Sequence, residues 1–204
     1  LEIDGGDDVR ETSRALQAID PGEQLFYLKH DGSLNDGIEI VTHPHTLEAF
    51  EKFPWEQIVK IALAAGFRSN DTDTCGIHVH IDRAYFGPQG EKRDIGVYQL
   101  MRLIDRFRIP LQALARRRDA TYATWTPVYI DDVTKAEPLK AYEAQEYQMR
   151  NYDRYHMINL ENYNTVELRF FRGSLNLTTI RATLALVTSL AVTAANSSET
   201  TIET

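Results

Sequence analysis

One pattern, repeated four times along this chain, constrains its fold more than any other feature. Residues Leu1 to Asp4 set Glu2 and Asp4 against Leu1 and Ile3, and Gly37 to Thr42 sets Glu39 between Ile38 and Ile40. Cys75 to Asp82 sets Gly76, His78, His80 and Asp82 against Ile77, Val79 and Ile81. Thr165 to Phe171 sets Thr165, Glu167 and Arg169 against Val166, Leu168 and Phe170. Side chains alternate across a β-strand, so each segment reads as a strand with one apolar face. The opposite faces carry carboxylates, imidazoles and a guanidinium but no lysine. An ordinary wet sheet face would carry more threonine, serine, lysine and glutamine. If these strands are neighbours, their carboxylates crowd and raise one another's pKa unless cations sit between them. Oxygen-ligated divalent ions, Mg²⁺ or Mn²⁺, are the natural neutralisers.

Two further segments, Leu25 to Lys29 and Tyr155 to Glu161, bring the expected strands to six. The turn-rich stretch His30 to Asp36 joins the second and third, and Asn162-Tyr163-Asn164 joins the last two. Helical periodicity runs over Thr46 to Ala65, where Pro54 is expected to split it and Gly66 to stop it. It runs again over Asp94 to Arg118, with a bend expected at Pro110, and over Leu177 to Ala195, with Asn176 as cap. Ala120 to Pro138 has no clear period and reads as irregular. Hairpin-paired strands with a few long helices predict an α+β fold in a single domain over residues 1–204, with helices covering one sheet face.

The chain's 204 residues suffice for one core, and 43% hydrophobic with 25% charged residues is a soluble globular mix. A net charge of −8 disfavours wrapping nucleic acid. The lone Cys75 cannot build an internal disulfide, so nothing points to secretion, and a cytoplasmic location is expected. The sequence opens on Leu1 rather than methionine, so the native chain is expected to begin upstream, where a targeting segment stays open. Ala182 to Ala195, the most apolar stretch, falls short of the about 18 to 20 residues that cross a bilayer and reads as a core helix. No membrane partner is expected, and no patch decides the oligomeric state.

The pair His78-x-His80 shares a strand face and can bind zinc, although a third His or Cys is wanted, for which His43 and His45 are distant candidates. Arg116-Arg117-Arg118 ends a helix, where cations favour the dipole; Arg117 is also a candidate for phosphate. Asp31 serves a turn or holds an amine. Tyr122, Trp125 and Tyr129 line a substrate pocket or pack onto the domain.

Leu1-Glu2-Ile3-Asp4, Asp31-Gly32-Ser33-Leu34, Gly37-Ile38-Glu39-Ile40-Val41, Cys75-Gly76-Ile77-His78-Val79-His80 and Thr165 through Asn176 occur in this order. Together they resemble the amidoligases, a branch of the glutamine synthetase and glutamate–cysteine ligase superfamily. The resemblance implies a curved, roughly six-stranded antiparallel sheet like the glutamine synthetase catalytic domain, with helices on its convex face. It implies ATP-dependent activation of a carboxylate as an acyl phosphate, which an amine attacks; the partners are then small-molecule or peptide carboxylates and amines. The family's first-strand Glu-x-Glu metal pair falls on Glu2 and Asp4, the second position being a shorter carboxylate here. Glu39, His78 and Glu167 complete the implied metal set. His78, His80, Arg169, Arg172 and Arg117 are the nucleotide-binding candidates, and Arg169, Glu39 and Asp31 the catalytic ones. Two other classes remain open: a metallohydrolase built on the His-x-His pair, and a non-catalytic module that keeps only the fold.

Overall fold

The computed structural model describes residues 1–72, 74–117, 139–144, 146 and 156–197. The chain forms two compact units, Leu1–Ile77 with Phe171–Ala185, and His78–Phe170 with Leu186–Thr204.

In the first unit, β1 (Glu2–Ile3), β2 (Phe26–Lys29) and β3 (Ile38–Thr42) form an antiparallel sheet in the order β1-β3-β2. Its register pairs Glu2 with Glu39, Ile3 with Ile38, Leu28 with Ile40 and Lys29 with Glu39. Ile3, Ile38, Ile40 and Phe26 are therefore on one face, and all four are buried. β1 stops after two residues because Gly5 turns the chain at φ 73°, a conformation that favours glycine, and Asp4 bridges to Arg68 instead. Helix α1 (Val9–Gln17) packs on α3 (Trp55–Ala64) and β2. Its cap is Asp8, whose carboxylate accepts from the Glu11 N–H at 2.8 Å. As expected, Pro54 separates α2 (Leu47–Glu51) from α3. Phe26, Phe50, Phe53 and Trp55 pack there as one aromatic cluster.

A second sheet, most of it in the second unit, has the order β4-β6-β5 from β4 (Gly76–Asp82), β5 (Ile158–Asn159) and β6 (Thr165–Arg172). β5 and β6 pair antiparallel, with Asn159 opposite Glu167. Val166, Leu168 and Phe170 are buried together on one face of β6, the alternation that its sequence requires. A 3₁₀ turn, Arg83–Phe86, follows β4 and packs on α4 (Glu91–Arg106). The α+β class and the antiparallel pairing are as expected; among the described residues the strands pair as two sheets of three, and the expected single six-stranded sheet is not shown. Alternation reports which face a residue takes; it carries no information on the neighbouring strand.

In place of the bend expected at Pro110, the helix breaks at Phe107, between α4 and α5 (Arg108–Ala115). Pro110 sits in the first turn of α5, where its missing N–H has no intrahelical partner to lose. Arg118, Ala120 to Pro138, and with them Tyr122, Trp125 and Tyr129, lie outside the described residues, as does Tyr155. The last helix, α6 (Leu177–Asn196), is capped as expected, Asn176 Oδ1 accepting from the Thr179 N–H at 3.1 Å. It is longer than its most apolar stretch, and by length and composition alone it could cross a bilayer. Its buried residues Ile180, Thr183, Val187, Leu190, Ala191 and Ala194 follow the stripe of a helix that rests one face on a core.

Candidate functional site

On the first sheet, the polar face begins with a row across all three strands: Glu2, Glu39 and Lys29, each directly opposite its neighbour. Opposed residues on antiparallel strands have Cβ atoms about 4.5–5.5 Å apart, so two carboxylates here repel unless something neutralises them. Glu2 is buried and its Oε2 accepts from the Gly76 N–H at 2.6 Å. Lys29 Nζ stands 3.5 Å from Glu39 Oε2, but the lysine is mostly exposed and such a pair is worth little. Glu39 Oε2 is buried and accepts no hydrogen bond. The row therefore offers two opposed carboxylates, one with an oxygen lacking a donor.

Asp4 follows Glu2 on the same parity, yet its carboxylate is fully engaged. Oδ1 accepts from Gly5 N and Asp36 N, each at 2.9 Å, and Oδ2 from Asn35 N at 3.1 Å and Thr74 Oγ1 at 3.0 Å. Burial raises its pKa, but the bonds from Asn35, Asp36, Thr74 and Gly5 outweigh burial and hold the group below its ordinary range. Asp31 heads the same turn, with Oδ1 accepting from Ser33 N at 2.8 Å, so its turn-forming role is present. Close by in this unit, Ser69 Oγ donates to the Glu2 carbonyl at 2.6 Å, and Gly173 N donates to the Cys75 carbonyl at 3.3 Å. A Cβ at Gly173 would overlap Ser69 Oγ and stand 2.6 Å from the Ser69 carbonyl oxygen. Only glycine fits between them. Cys75 is a buried free thiol whose pKa burial pushes up to about 11. Arg172, opposite in parity to Arg169, is half-buried at the end of β6.

In the second unit, Glu167 is the centre of a cluster. Its Oε1 receives Arg169 Nη1 at 2.6 Å and lies 3.4 Å from His78 Nδ1 and 3.8 Å from His80 Nε2. Its Oε2 receives Asn159 Nδ2 at 2.8 Å. Glu167 and Asn159 are buried, and His78 and Arg169 nearly so. Burial first, and the Arg169 guanidinium second, hold the His78 imidazole well below its ordinary pKa. His78 is therefore neutral near pH 7, and its approach to Glu167 is a contact between an imidazole and a carboxylate rather than an ion pair. His80 is half-exposed and shares a hydrogen bond with Thr165 Oγ1 at 3.1 Å. Arg117 Nη1 donates to the Arg169 carbonyl at 3.0 Å, so this arginine of the basic run is tied to the strand backbone.

Two residues of this cluster escape a reading of composition and parity alone. Asn159 is one. Counting back symmetrically from the Asn162-Tyr163-Asn164 turn places it opposite Glu167, so the register held the signal. Arg83 is the other. Its guanidinium, 2% exposed, donates to the carbonyls of Thr165 at 3.3 Å and Leu160 at 3.0 Å. It also donates to Tyr142 Oη at 2.9 Å and Glu146 Oε1 at 2.7 Å. Tyr142 Oη donates in turn to Glu146 Oε1 at 2.7 Å, and burial, with that bond next, raises the phenol's pKa. Arg83 so fastens both arms of the hairpin that presents Asn159 and Glu167, and no sequence motif marks it. Among the described residues, no three His, Cys, Asp or Glu side chains gather into a metal-binding group.

The described strand faces thus carry buried carboxylates, one of them held between an arginine, an asparagine and a neutral histidine. The family model described as "putative amidoligase enzyme" matches residues 10–191, and the chain belongs to that family. The matched residues include Asp31, Glu39, His78, His80, Arg117, Glu167, Arg169 and Arg172, while Glu2 and Asp4 precede them. No curated protein and no solved structure matches the chain.

Proposed function

We propose that the chain is an ATP-dependent carboxylate–amine ligase that works through an acyl phosphate. The observation that carries this reading is the Glu167 cluster, a buried carboxylate with Arg169 on one oxygen and Asn159 on the other. Family membership supports a ligase over the metallohydrolase and over a non-catalytic module.

The donor set suits Mg²⁺ or Mn²⁺. Glu39 Oε2 is a buried carboxylate oxygen without a hydrogen-bond donor, directly opposite Glu2. Such ions commonly take only one or two protein carboxylates and complete their shell with water and substrate phosphate oxygens, so a larger protein cage is not needed. We take Glu2 and Glu39 as candidate ligands in the first unit and, separately, His78 and Glu167 as candidate ligands in the second. Asp4, with four donors already on its oxygens, holds the turn beside Glu2 and would coordinate only by releasing one of them. When bound, the ion neutralises charge on the phosphates.

Arg169 is the residue placed to stabilise charge on the transferred phosphoryl group, as a fixed donor does where negative charge develops. His80 and, where it is not a metal ligand, the neutral His78 contact phosphate oxygens, with Arg117 of the same unit as a supporting cation. Asp31 orients the amine. The substrate carboxylate oxygen takes the terminal phosphoryl of ATP and releases ADP. The amine nitrogen then attacks the acyl carbon, phosphate leaves, and the nitrogen gives up a proton to form the amide. The test is ADP release from ATP with metabolite extracts, followed by mass spectrometry of what is consumed. Turnover that requires an amine and is lost in Arg169→Ala supports the reading, and unchanged turnover in that variant removes Arg169 from it.

A further inference from the structure

We infer that Asn159 is a positioning residue that sets the orientation of the Glu167 carboxylate; the inference rests on the ligase reading of Glu167. The two amide ends of Asn159 are both committed. Its Oδ1 accepts from the Glu161 N–H at 2.9 Å, and its Nδ2 donates to Glu167 Oε2 at 2.8 Å. A backbone N–H can only donate, so Oδ1 must face it, and the amide cannot flip without losing both bonds. The donor end is thereby aimed at Glu167 from the residue directly opposite it on β5. Arg83 reinforces this placement by tying down Leu160 next to Asn159 and Thr165 two residues before Glu167.

The consequence for Glu167 is asymmetry. Oε2 is held by a neutral, buried donor on the adjacent strand, whose own backbone is paired. Oε1 is left to face Arg169, His78 and His80, the groups assigned to phosphate and metal. Without Asn159 the plane of the carboxylate is free to turn about its last bond, and Oε1 no longer holds one direction toward Arg169, His78 and His80. Residues that orient a ligand from behind typically change metal affinity or activity by about 10- to 100-fold when removed.

The test is isothermal titration of Mg²⁺ with a non-hydrolysable ATP analogue into wild type, Asn159→Leu, Glu167→Ala and the double variant, with thermal melting of each. Asn159→Ser is the second variant should leucine prevent folding. The expected result is wild-type binding, about 10- to 100-fold weaker binding in Asn159→Leu, and no further loss when the same change is made in Glu167→Ala. Equal affinity of wild type and Asn159→Leu overturns the positioning role and leaves the ligase reading standing. An equal loss in both backgrounds also overturns it, because Asn159 would then act on the fold and not through Glu167. A wild type that binds nothing overturns both.

Discussion

Asp4 and Glu2 in the first unit and Glu167 in the second are satisfied by different kinds of donor. In the first, Asp4 is held by three backbone N–H groups and a threonine hydroxyl, and Glu2 by the backbone N–H of Gly76. In the second, Glu167 is held by side chains, Arg169 and Asn159, with two histidines near. Backbone donors are fixed by the fold and cannot leave without unfolding a turn. Side-chain donors can turn toward a substrate. The difference predicts that Asp4 contributes mainly to stability and Glu167 mainly to binding and turnover.

The largest effect should be chemical. Arg169→Ala should lower turnover by about 10²–10³, the usual loss when one donor to a charged transition state is removed, as read by ADP release. Next is Arg83→Leu, which removes the guanidinium from Glu146, leaving it the Tyr142 hydroxyl, and frees both arms of the hairpin. It should destabilise the fold by about 3–5 kcal/mol in urea unfolding and lower turnover only in proportion to the folded fraction. Asp4→Asn should cost about 1–3 kcal/mol at pH 7, because an amide cannot accept from all four donors. The sign with pH follows from the lowered carboxyl: its contribution is complete above the unfolded value of about 4 and disappears as pH falls through the lower folded value. The gap between wild type and Asp4→Asn should therefore close in acid, and a gap that widens there would break the assignment. Smallest should be the stability effect of Glu39→Gln, which relieves the repulsion with Glu2 and should leave the fold within about 0.5 kcal/mol while weakening the Mg²⁺ dependence of nucleotide binding.

The same contrast explains what the sequence disclosed. Parity placed Glu2 and Glu39 on one face and Glu167 with Arg169 on one face, because the strand period is a local property. It also placed the helix break at Pro54 and the cap at Asn176. It did not reveal which strands pair, so six strands were expected in one sheet, and two sheets of three are found among the described residues. Helix α1 was not expected, since only Thr12 and Leu16 of its residues are buried and its apolar pattern is thin. Arg83 follows a strand where an arginine ordinarily faces solvent, and its burial depends on partners up to 82 residues away in the chain. The engagement of Asp4 was invisible for the same reason, as its donors come from Asn35, Asp36 and Thr74.

The measurement that bears most directly on the central claim is the affinity of the Mg²⁺ complex of a non-hydrolysable ATP analogue for wild type and for Glu167→Ala, at matched folded fraction. Tight, Mg²⁺-dependent binding by wild type that drops at least tenfold in Glu167→Ala is the predicted result. Identical affinities for the two proteins would contradict it.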